Sequence, residues 1–252
     1  MKYYFLSTGR SGSTFIYKIF HDFYPIINLT HQGFGSRLIN ISSNIPLPIK
    51  ISSFILKLLF QIFKKDKIPP STVDPLQSYA ISKIIDRNNL DNDQIKIVHL
   101  VRNPISFVTS FMNWKNSSFK RLFLHSFVPF WQLNPRNDDV NTQLKDNKKF
   151  KQFCKIWTHK NMLFYNKFNN HINYNILKIE DLTTSNNSSE IFNEIINFFK
   201  LSKIEFDYDQ YSKTKINKSS GNKFPDYEFW TDDMKSYLNE VCGDLMKIFG
   251  YK

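Results

Sequence analysis

Residues 2–23 read KYYFLSTGRSGSTFIYKIFHDF and contain the pattern on which the fold depends. Their first part, Lys2–Thr8, is a short apolar run that is typical of a buried strand. A turn with two glycines follows at 9–14, and from about Ser13 to Phe23 the apolar residues recur at helical spacing. This order of strand, glycine-containing turn and helix predicts the first unit of a parallel α/β sheet.

Later segments repeat this alternation of strands and helices. A strong buried strand is predicted at Ile95–Val101 (IKIVHLV), and weaker strands at Ile26–Thr30, just before Asp74, and at Tyr174–Ile179. Helical periodicity is found at about Gln77–Asn88, Lys149–Phe168, Ser189–Lys200 and Asp232–Phe249. The alternation predicts an α/β fold of three layers, a parallel sheet with helices on both faces, in one domain over residues 1–252.

Two segments fit this alternation less well, and we interpret both as insertions near one end of the sheet that shape a substrate site. The segment 36–70 contains an amphipathic helix, and the segment 115–147 mixes aromatic and basic residues. One face of the helix carries Ile51, Phe54, Ile55, Leu58, Leu59, Ile62 and Phe63. We expect an ordinary buried helix; a lid or a helix in peripheral contact with a membrane are the alternatives.

Composition limits the classes of function. The chain carries 34 basic and 22 acidic residues, a net charge of +12, which favours an anionic partner: nucleic acid, anionic lipid or a charged nucleotide. The two cysteines, Cys154 and Cys242, are far apart in the sequence and indicate neither a disulfide framework nor a zinc site. We find no signal peptide and no apolar run of about 18 residues, so the expected compartment is the cytoplasm.

The turn Gly9-Arg10-Ser11-Gly12-Ser13-Thr14 has the residues of an anion-binding loop. Small residues let successive backbone N–H groups point into one concavity, and the following helix N-terminus adds partial positive charge. Arg10 supplies a cation, and Ser13 and Thr14 supply hydroxyl donors. The plain alternative is a Ser/Gly-rich turn without a ligand. A nucleoside-triphosphate loop would place Lys directly after the second glycine, where this chain has Ser13.

A second anion site is predicted after the strand Ile95–Val101. Arg102 stands where the strand ends, Pro104 suits the first turn of a helix, and Ser110 follows about two helical turns later. The carboxyl ends of parallel strands are where α/β sheets bind ligands. Arginine suits phosphate because its planar fork donates two hydrogen bonds, although a surface ion pair is the alternative for Arg102 taken alone. An ATPase would place a Mg²⁺-binding Asp here.

Together, Arg10–Thr14 and Arg102–Ser110 resemble the two motifs of the sulfotransferases that use PAPS (3′-phosphoadenosine 5′-phosphosulfate). The family's first motif reads Lys/Arg-Ser/Thr-Gly-Ser/Thr-Ser/Thr, and its second reads Arg-Asn/Asp, six residues, then Ser. Weaker similarities occur at Asn175–Leu182, at Asn217–Trp230 and at the ending Phe249–Tyr251. Arg10, where cytosolic members have Lys, makes the chain more similar to the carbohydrate-modifying and bacterial members.

The resemblance implies a P-loop nucleotide-kinase-like fold and a metal-independent sulfuryl transfer from PAPS, leaving PAP (the desulfated donor). It implies that Arg10 and the loop N–H groups stabilise the leaving 5′-phosphate, and that Arg102 and Ser110 hold the 3′-phosphate. Lys218 would replace a charge from the Arg-Lys-Gly triplet that cytosolic members carry and this chain lacks. The implied donor-binding residues are Gly9, Arg10, Ser11, Gly12, Ser13, Thr14, Arg102, Ser110 and Lys218.

The acceptor would be a hydroxyl or amine of a carbohydrate, a lipid or a small molecule, and its proton needs a base. His31 is our first candidate because imidazole titrates in the useful range, with Asp74 and His125 as alternatives. His99 lies in the middle of a strand and is expected in the core. Aromatic residues that could line the acceptor pocket, or only pack the insertion, are Trp114, Phe119, Phe123, Phe127, Phe130 and Trp131.

Two other classes of function remain open. A P-loop kinase or NTPase would bind ATP or GTP with Mg²⁺, which PAP binding without metal would contradict. A basic nucleic-acid-binding module would agree with the net charge. No zinc finger, helix-turn-helix or RNP-type motif is visible, however, and the basic residues are scattered, so we expect no nucleic-acid partner.

Overall fold

The computed structural model describes residues 1–31, 39, 42–43, 48–64, 70–85, 90, 94–116, 145–212 and 224–251. Contacts divide the chain into two compact units. The first consists of Met1–Arg102 and Phe164–Asn217, and the second of Asn103–Leu163 and Lys218–Lys252. The single domain over residues 1–252 stays a prediction.

The first unit is built on a parallel sheet of three strands. These are β1 (Lys2–Ser7), β2 (Ile95–Val101) and β3 (Tyr174–Lys178), in the order β1-β2-β3. Every residue of β2 is buried. A strand in the middle of a parallel sheet is covered on both faces, which explains why its sequence is a nearly continuous apolar run.

Two isolated bridges continue the sheet beyond β1. Thr72 pairs with Tyr4 and with Thr30, both in parallel. The predicted strand at Ile26–Thr30 is therefore wrong over most of its length. Pro25–Ile27 forms a 3₁₀ turn instead, and Asn28 has a left-handed backbone with φ of 48°. Proline fixes φ near the value of such a turn, so the chain becomes extended only as it reaches Thr30.

Helices cover both faces of this sheet. On one face, α1 (Ser13–Phe23) and α7 (Ser188–Phe198) pack against Phe5, Val98 and Leu100 in one apolar cluster. On the other face, the buried ring of His99 makes an edge contact with Phe164, near the end of α5 (Lys145–Phe168), with 5.3 Å between the ring centroids. The predicted α/β class, a parallel sheet with helices on both faces, is confirmed.

The amphipathic helix α2 (Ile49–Lys64) does not bury the face that we expected. Its buried positions are Ser52, Leu56 and Phe60, four residues apart. The predicted apolar face is largely exposed, at Ile51, Phe54, Leu58 and Ile62. The expectation of an ordinary buried helix is therefore wrong. Apolar residues surround most of this helix, so periodicity alone could not identify the side that packs.

Helix α3 (Pro75–Ile84) lies beside α2, and the described part of the first unit also contains two short helices, α6 (Ile179–Thr183) and α8 (Tyr208–Ser212). The second unit is helical in its described residues. It contains α4 (Pro104–Asn116), most of α5, a 3₁₀ turn at Tyr227–Phe229 and α9 (Asp232–Ile248). Among the helices that the structure describes, none has both the length and the apolar character needed to cross a bilayer.

Packing in the second unit brings α5 and α9 together. Trp157 makes an edge contact with Phe249, and the Cys242 thiol donates to the Cys154 carbonyl oxygen at 3.7 Å. Thr158 donates its hydroxyl to the Val241 carbonyl oxygen at 2.9 Å. Both cysteines are buried and free, so they act here as small side chains that fill the space between the two helices.

Candidate functional site

The turn between β1 and α1 has an unusual backbone. Gly9, Arg10 and Gly12 all have left-handed φ values, of 87°, 53° and 80°. The left-handed region costs a residue with a side chain about 1–2 kcal/mol, so glycine suits two of these positions and Arg10 is strained. Strain of this kind is concentrated at functional sites, and a turn of this kind can gather N–H groups for an anion.

Hydroxyl groups inside the turn stabilise it. Ser11 is completely buried; its hydroxyl donates to the Gly9 carbonyl oxygen at 3.1 Å and lies 3.2 Å from the Thr8 hydroxyl. The Ser11 side chain therefore holds the turn in shape. Ser13 is buried, whereas Thr14 is half-buried on the first turn of α1.

Gly12 is also required because another part of the chain lies against it. A Cβ atom at this position would stand 2.2 Å from Cδ1 of Ile179 and 2.4 Å from its Cγ1, well inside contact distance. Ile179 is buried and begins α6 directly after β3. The turn after β1 is therefore packed directly against the carboxyl end of β3.

Arg102 contacts the same turn from the end of β2. Its Nη1 donates a hydrogen bond to the Arg10 carbonyl oxygen at 2.6 Å. Two segments that lie 92 residues apart in the sequence thus meet at one edge of the sheet, because parallel strands end on the same side. The two arginines, each taken from a separate sequence motif, are brought together.

His31 lies beside the turn as well. Its Nε2 is 3.5 Å from the Ser13 hydroxyl oxygen, and its ring stacks on Tyr17 of α1 with 5.3 Å between the centroids. Burial lowers the pKa of His31 below the usual imidazole value, while the charge of Asp74 opposes part of this shift. The ring is therefore neutral at pH 7 and able to accept a proton.

Asp74, one of the alternative bases, caps a helix in the described structure. It is completely buried and caps the N-terminus of α3. One carboxylate oxygen accepts a hydrogen bond from the Leu76 N–H at 2.9 Å, and the other accepts from the Gln77 side-chain amide at 3.0 Å. Asp74 is thus a helix cap that also acts electrostatically on His31.

The other predicted residues fall in three groups. Ser110 lies on α4 in the second unit, and its pairing with Arg102 stays a prediction. His99 is fully buried and its Nδ1 lies 2.7 Å from the Tyr174 hydroxyl, which confirms its core position. Outside the described residues lie Lys218, His125, Phe119, Phe123, Phe127, Phe130 and Trp131, and nothing is described of the Trp114 side chain.

Sequence reasoning missed two contacts of this site. Tyr17 supports His31, and its position four residues after Ser13 on α1 could have shown that both share one helix face. Ile179 closes the space beside Gly12, and its position directly after a parallel strand could have suggested this. In the part of the chain that the structure describes, no group of three His, Cys, Asp or Glu residues is arranged to hold a metal ion. The predicted absence of a metal requirement stays a prediction.

Two solved structures are similar to this chain at low sequence identity. No protein-family profile matches the sequence, and no curated protein matches it significantly. Among solved structures, the sulfotransferase domain of the Synechococcus PCC 7002 olefin synthase has a TM-score of 0.47 and 17% identity, covering 100% of this chain and 94% of that one. The sulfotransferase domain of the curacin biosynthetic pathway has a TM-score of 0.45 and 14% identity, covering 100% and 98%. Similarity this low does not identify a family or a function for the chain.

Proposed function

We propose that the protein is a sulfotransferase that transfers a sulfuryl group from PAPS to a hydroxyl or amine. The observation that carries this proposal is the hydrogen bond from Arg102 to the Arg10 carbonyl oxygen at 2.6 Å. It joins the two segments that resemble the family's donor-binding motifs at one edge of a parallel sheet. Two arginines at this edge, beside a strained glycine turn and a helix N-terminus, suit a ligand with several phosphate groups.

The turn after β1 is proposed to hold the 5′ end of the donor. PAPS supplies an activated sulfuryl group on its 5′-phosphate, and charge builds on that phosphate as the sulfuryl group leaves. Arg10 and the N–H groups of residues 9–14 would stabilise this charge from a fixed position, which contributes more than mobile water can. Arg102, with Ser110 and Lys218, would hold the 3′-phosphate and so distinguish PAPS from nucleotides that lack it.

His31 is proposed as the base that activates the acceptor. The acceptor oxygen or nitrogen forms a bond to sulfur, the bond between sulfur and the 5′-phosphate oxygen breaks, and the acceptor proton passes to Nε2 of His31. The position of this nitrogen beside Ser13 places it next to the turn that would hold the donor. Asp74 would favour the protonated ring that results, because its charge raises the pKa of His31.

We expect the pH dependence of the reaction to report on His31. Only the neutral ring can accept a proton, so kcat/KM should rise as the pH increases through the His31 pKa and then level off. Burial lowers this pKa, so the rising limb should lie below the ordinary imidazole value of about 6.5. His31→Asn should lower kcat by about 10²–10⁴-fold and remove this limb. An unchanged profile in the variant would exclude His31 as the base.

The acceptor class is proposed only broadly, as a carbohydrate, a lipid or a small molecule. The Arg in the first motif favours the carbohydrate-modifying and bacterial branch of the family. A direct measurement is transfer of ³⁵S from labelled PAPS to a panel of acceptors from the three classes.

Donor binding can be tested before any acceptor is known. We expect PAP to raise the melting temperature without added metal. A ligand that binds only the folded state, present at 100 times its Kd, increases the free energy of unfolding by about 2.7 kcal/mol. For a chain of this length that corresponds to about 5–10 °C. The measurement is a thermal melt with PAP and, separately, with ATP, each with Mg²⁺ and with EDTA.

The four conditions separate the sulfotransferase from a kinase or NTPase, and a DNA-binding measurement tests the third candidate. Stabilisation by PAP in EDTA, with a weaker effect of ATP, supports the sulfotransferase. Stabilisation by ATP only with Mg²⁺ would instead indicate a P-loop kinase or NTPase. Salt-sensitive binding to random DNA together with no response to PAP would favour a nucleic-acid-binding protein.

A further inference from the structure

Helix α2 exposes an apolar stripe. Its members, which we call the α2 stripe, are Ile51, Phe54, Leu58 and Ile62, with exposed fractions of 50%, 69%, 47% and 60%. Their spacing of three, four and four residues places them on one side of the helix. Scattered apolar residues on a surface are common, but a continuous stripe along three helical turns usually marks a binding surface.

The orientation of this helix is fixed by its opposite side. Leu56 and Phe60 are fully buried there, and the Lys83 side chain of α3 donates to the Ser52 hydroxyl at 3.3 Å. Lys83 also donates to the Ser43 carbonyl oxygen at 2.5 Å. Turning the α2 stripe inward would expose these buried side chains and break these hydrogen bonds. The packing of the first unit therefore holds the stripe on the surface.

The charged residues of α2 itself are all lysines. Lys50 and Lys57 are exposed and lie seven residues apart, so they occupy one side of the helix next to the stripe. The sequence contains no Asp or Glu between Asp22 and Asp66, so the whole helix lacks acidic residues. An apolar stripe bordered by lysines is the pattern of a helix that lies in the surface of an anionic membrane.

A second copy of the chain fits this surface less well. In a symmetric dimer the same patch meets itself, which would bring the lysines of both copies towards each other. Like charges across an interface oppose association. Anionic lipid has the opposite properties, since its acyl region accepts the stripe while its headgroups attract Lys50 and Lys57.

We propose that α2 binds the surface of an anionic lipid bilayer, with the α2 stripe inserted between headgroups. The helix lies in the plane of the surface, and its 16 residues extend about 24 Å along it. The proposal does not depend on the sulfotransferase assignment, because it concerns a different surface and needs no donor.

The test is sedimentation of the full chain with vesicles. We expect binding to vesicles of phosphatidylglycerol and phosphatidylcholine in a one-to-one mixture, and at least tenfold weaker binding to phosphatidylcholine alone. Raising the salt concentration from 0.1 to 0.5 M should weaken binding to the anionic vesicles. Equal binding to both kinds of vesicle, or to neither, would overturn the proposal.

Two variants test the surface itself, and a third is their control. Phe54→Asp should reduce binding to the anionic vesicles at least tenfold, and Lys57→Gln should reduce it about fivefold, since each lysine near such a surface contributes about 1 kcal/mol. Ile172→Asp is the matched control, because Ile172 is 86% exposed but lies outside α2. It should bind like the parent. Melting temperatures should change little in all three, since each side chain is exposed.

Other outcomes would contradict the proposal. If Phe54→Asp and Ile172→Asp reduce vesicle binding equally, apolar surface anywhere on the protein is responsible for the binding, and not the α2 stripe. A second contrary result has two parts: the parent does not bind vesicles, and light scattering shows a dimer that the Phe54→Asp substitution dissociates. This result would show that a second copy of the chain covers the α2 stripe.

Discussion

Gly12→Ala is expected to lower the free energy of unfolding by about 2–5 kcal/mol. A side chain in the left-handed region costs about 1–2 kcal/mol, and overpacking a buried site costs about 1–3 kcal/mol more. Both costs apply, because Gly12 has φ of 80° and its new Cβ would overlap Ile179. Urea unfolding followed by circular dichroism measures the change. The strained turn should also lose donor binding, which the PAP melt detects.

A matched control and a double mutant separate strain from overlap. Gly243 lies within α9, and a Cβ there would meet nothing within 4 Å. Gly243→Ala should therefore stabilise the protein by up to about 1 kcal/mol, through helix propensity alone. Ile179→Ala removes the overlapping atoms, so the double mutant should be more stable than the sum of the single changes predicts. If the losses in free energy of unfolding of the two single mutants add up to the loss in the double mutant, the overlap with Ile179 contributes nothing.

The sequence was sufficient to predict the parts of the fold that have strong local patterns. β1 and β2 are short apolar runs followed by turn residues, and each lies within one residue of its predicted bounds. The side of α2 that packs could not be predicted in this way. Leu56 and Phe60 are as apolar as Phe54 and Leu58, so tertiary packing, in which α2 lies beside α3, decides which pair is buried.

In the candidate site, too, one contact could be predicted from the sequence and another could not. That Arg10 and Arg102 meet follows from a general rule, because both stand at the carboxyl ends of parallel strands. The position of His31 depends on the pairing of Thr30 with Thr72, which is a single bridge without a strand pattern in the sequence. No local signal joins those two threonines across 42 positions, so the contact of His31 with Ser13 required a structure.

Arg102→Ala should weaken PAP binding by about 30-fold or more. Removing one partner of a hydrogen-bonded charge pair costs about 2–5 kcal/mol, partly because the other charge is left without a partner. Isothermal titration with PAP measures the change, and the melting shift with PAP should nearly disappear. Arg102→Lys keeps the charge but not the planar fork, so it should recover only part of the affinity. Lys247→Ala changes the net charge equally at an exposed position and should bind PAP like the parent.

The same variant distinguishes two ways in which Arg102 can act. It can contact the 3′-phosphate, or it can support the turn through its hydrogen bond to the Arg10 carbonyl oxygen. Adenosine 5′-monophosphate carries the 5′-phosphate but not the 3′-phosphate. If Arg102 binds the 3′-phosphate, Arg102→Ala weakens the binding of PAP and leaves the affinity for the monophosphate unchanged. If Arg102 acts only through the turn, the affinities for both ligands fall by the same factor, and the 3′-phosphate assignment is wrong. An arginine that did both would reduce PAP affinity by the larger factor, and the difference between the two losses would be the contribution of the 3′-phosphate itself.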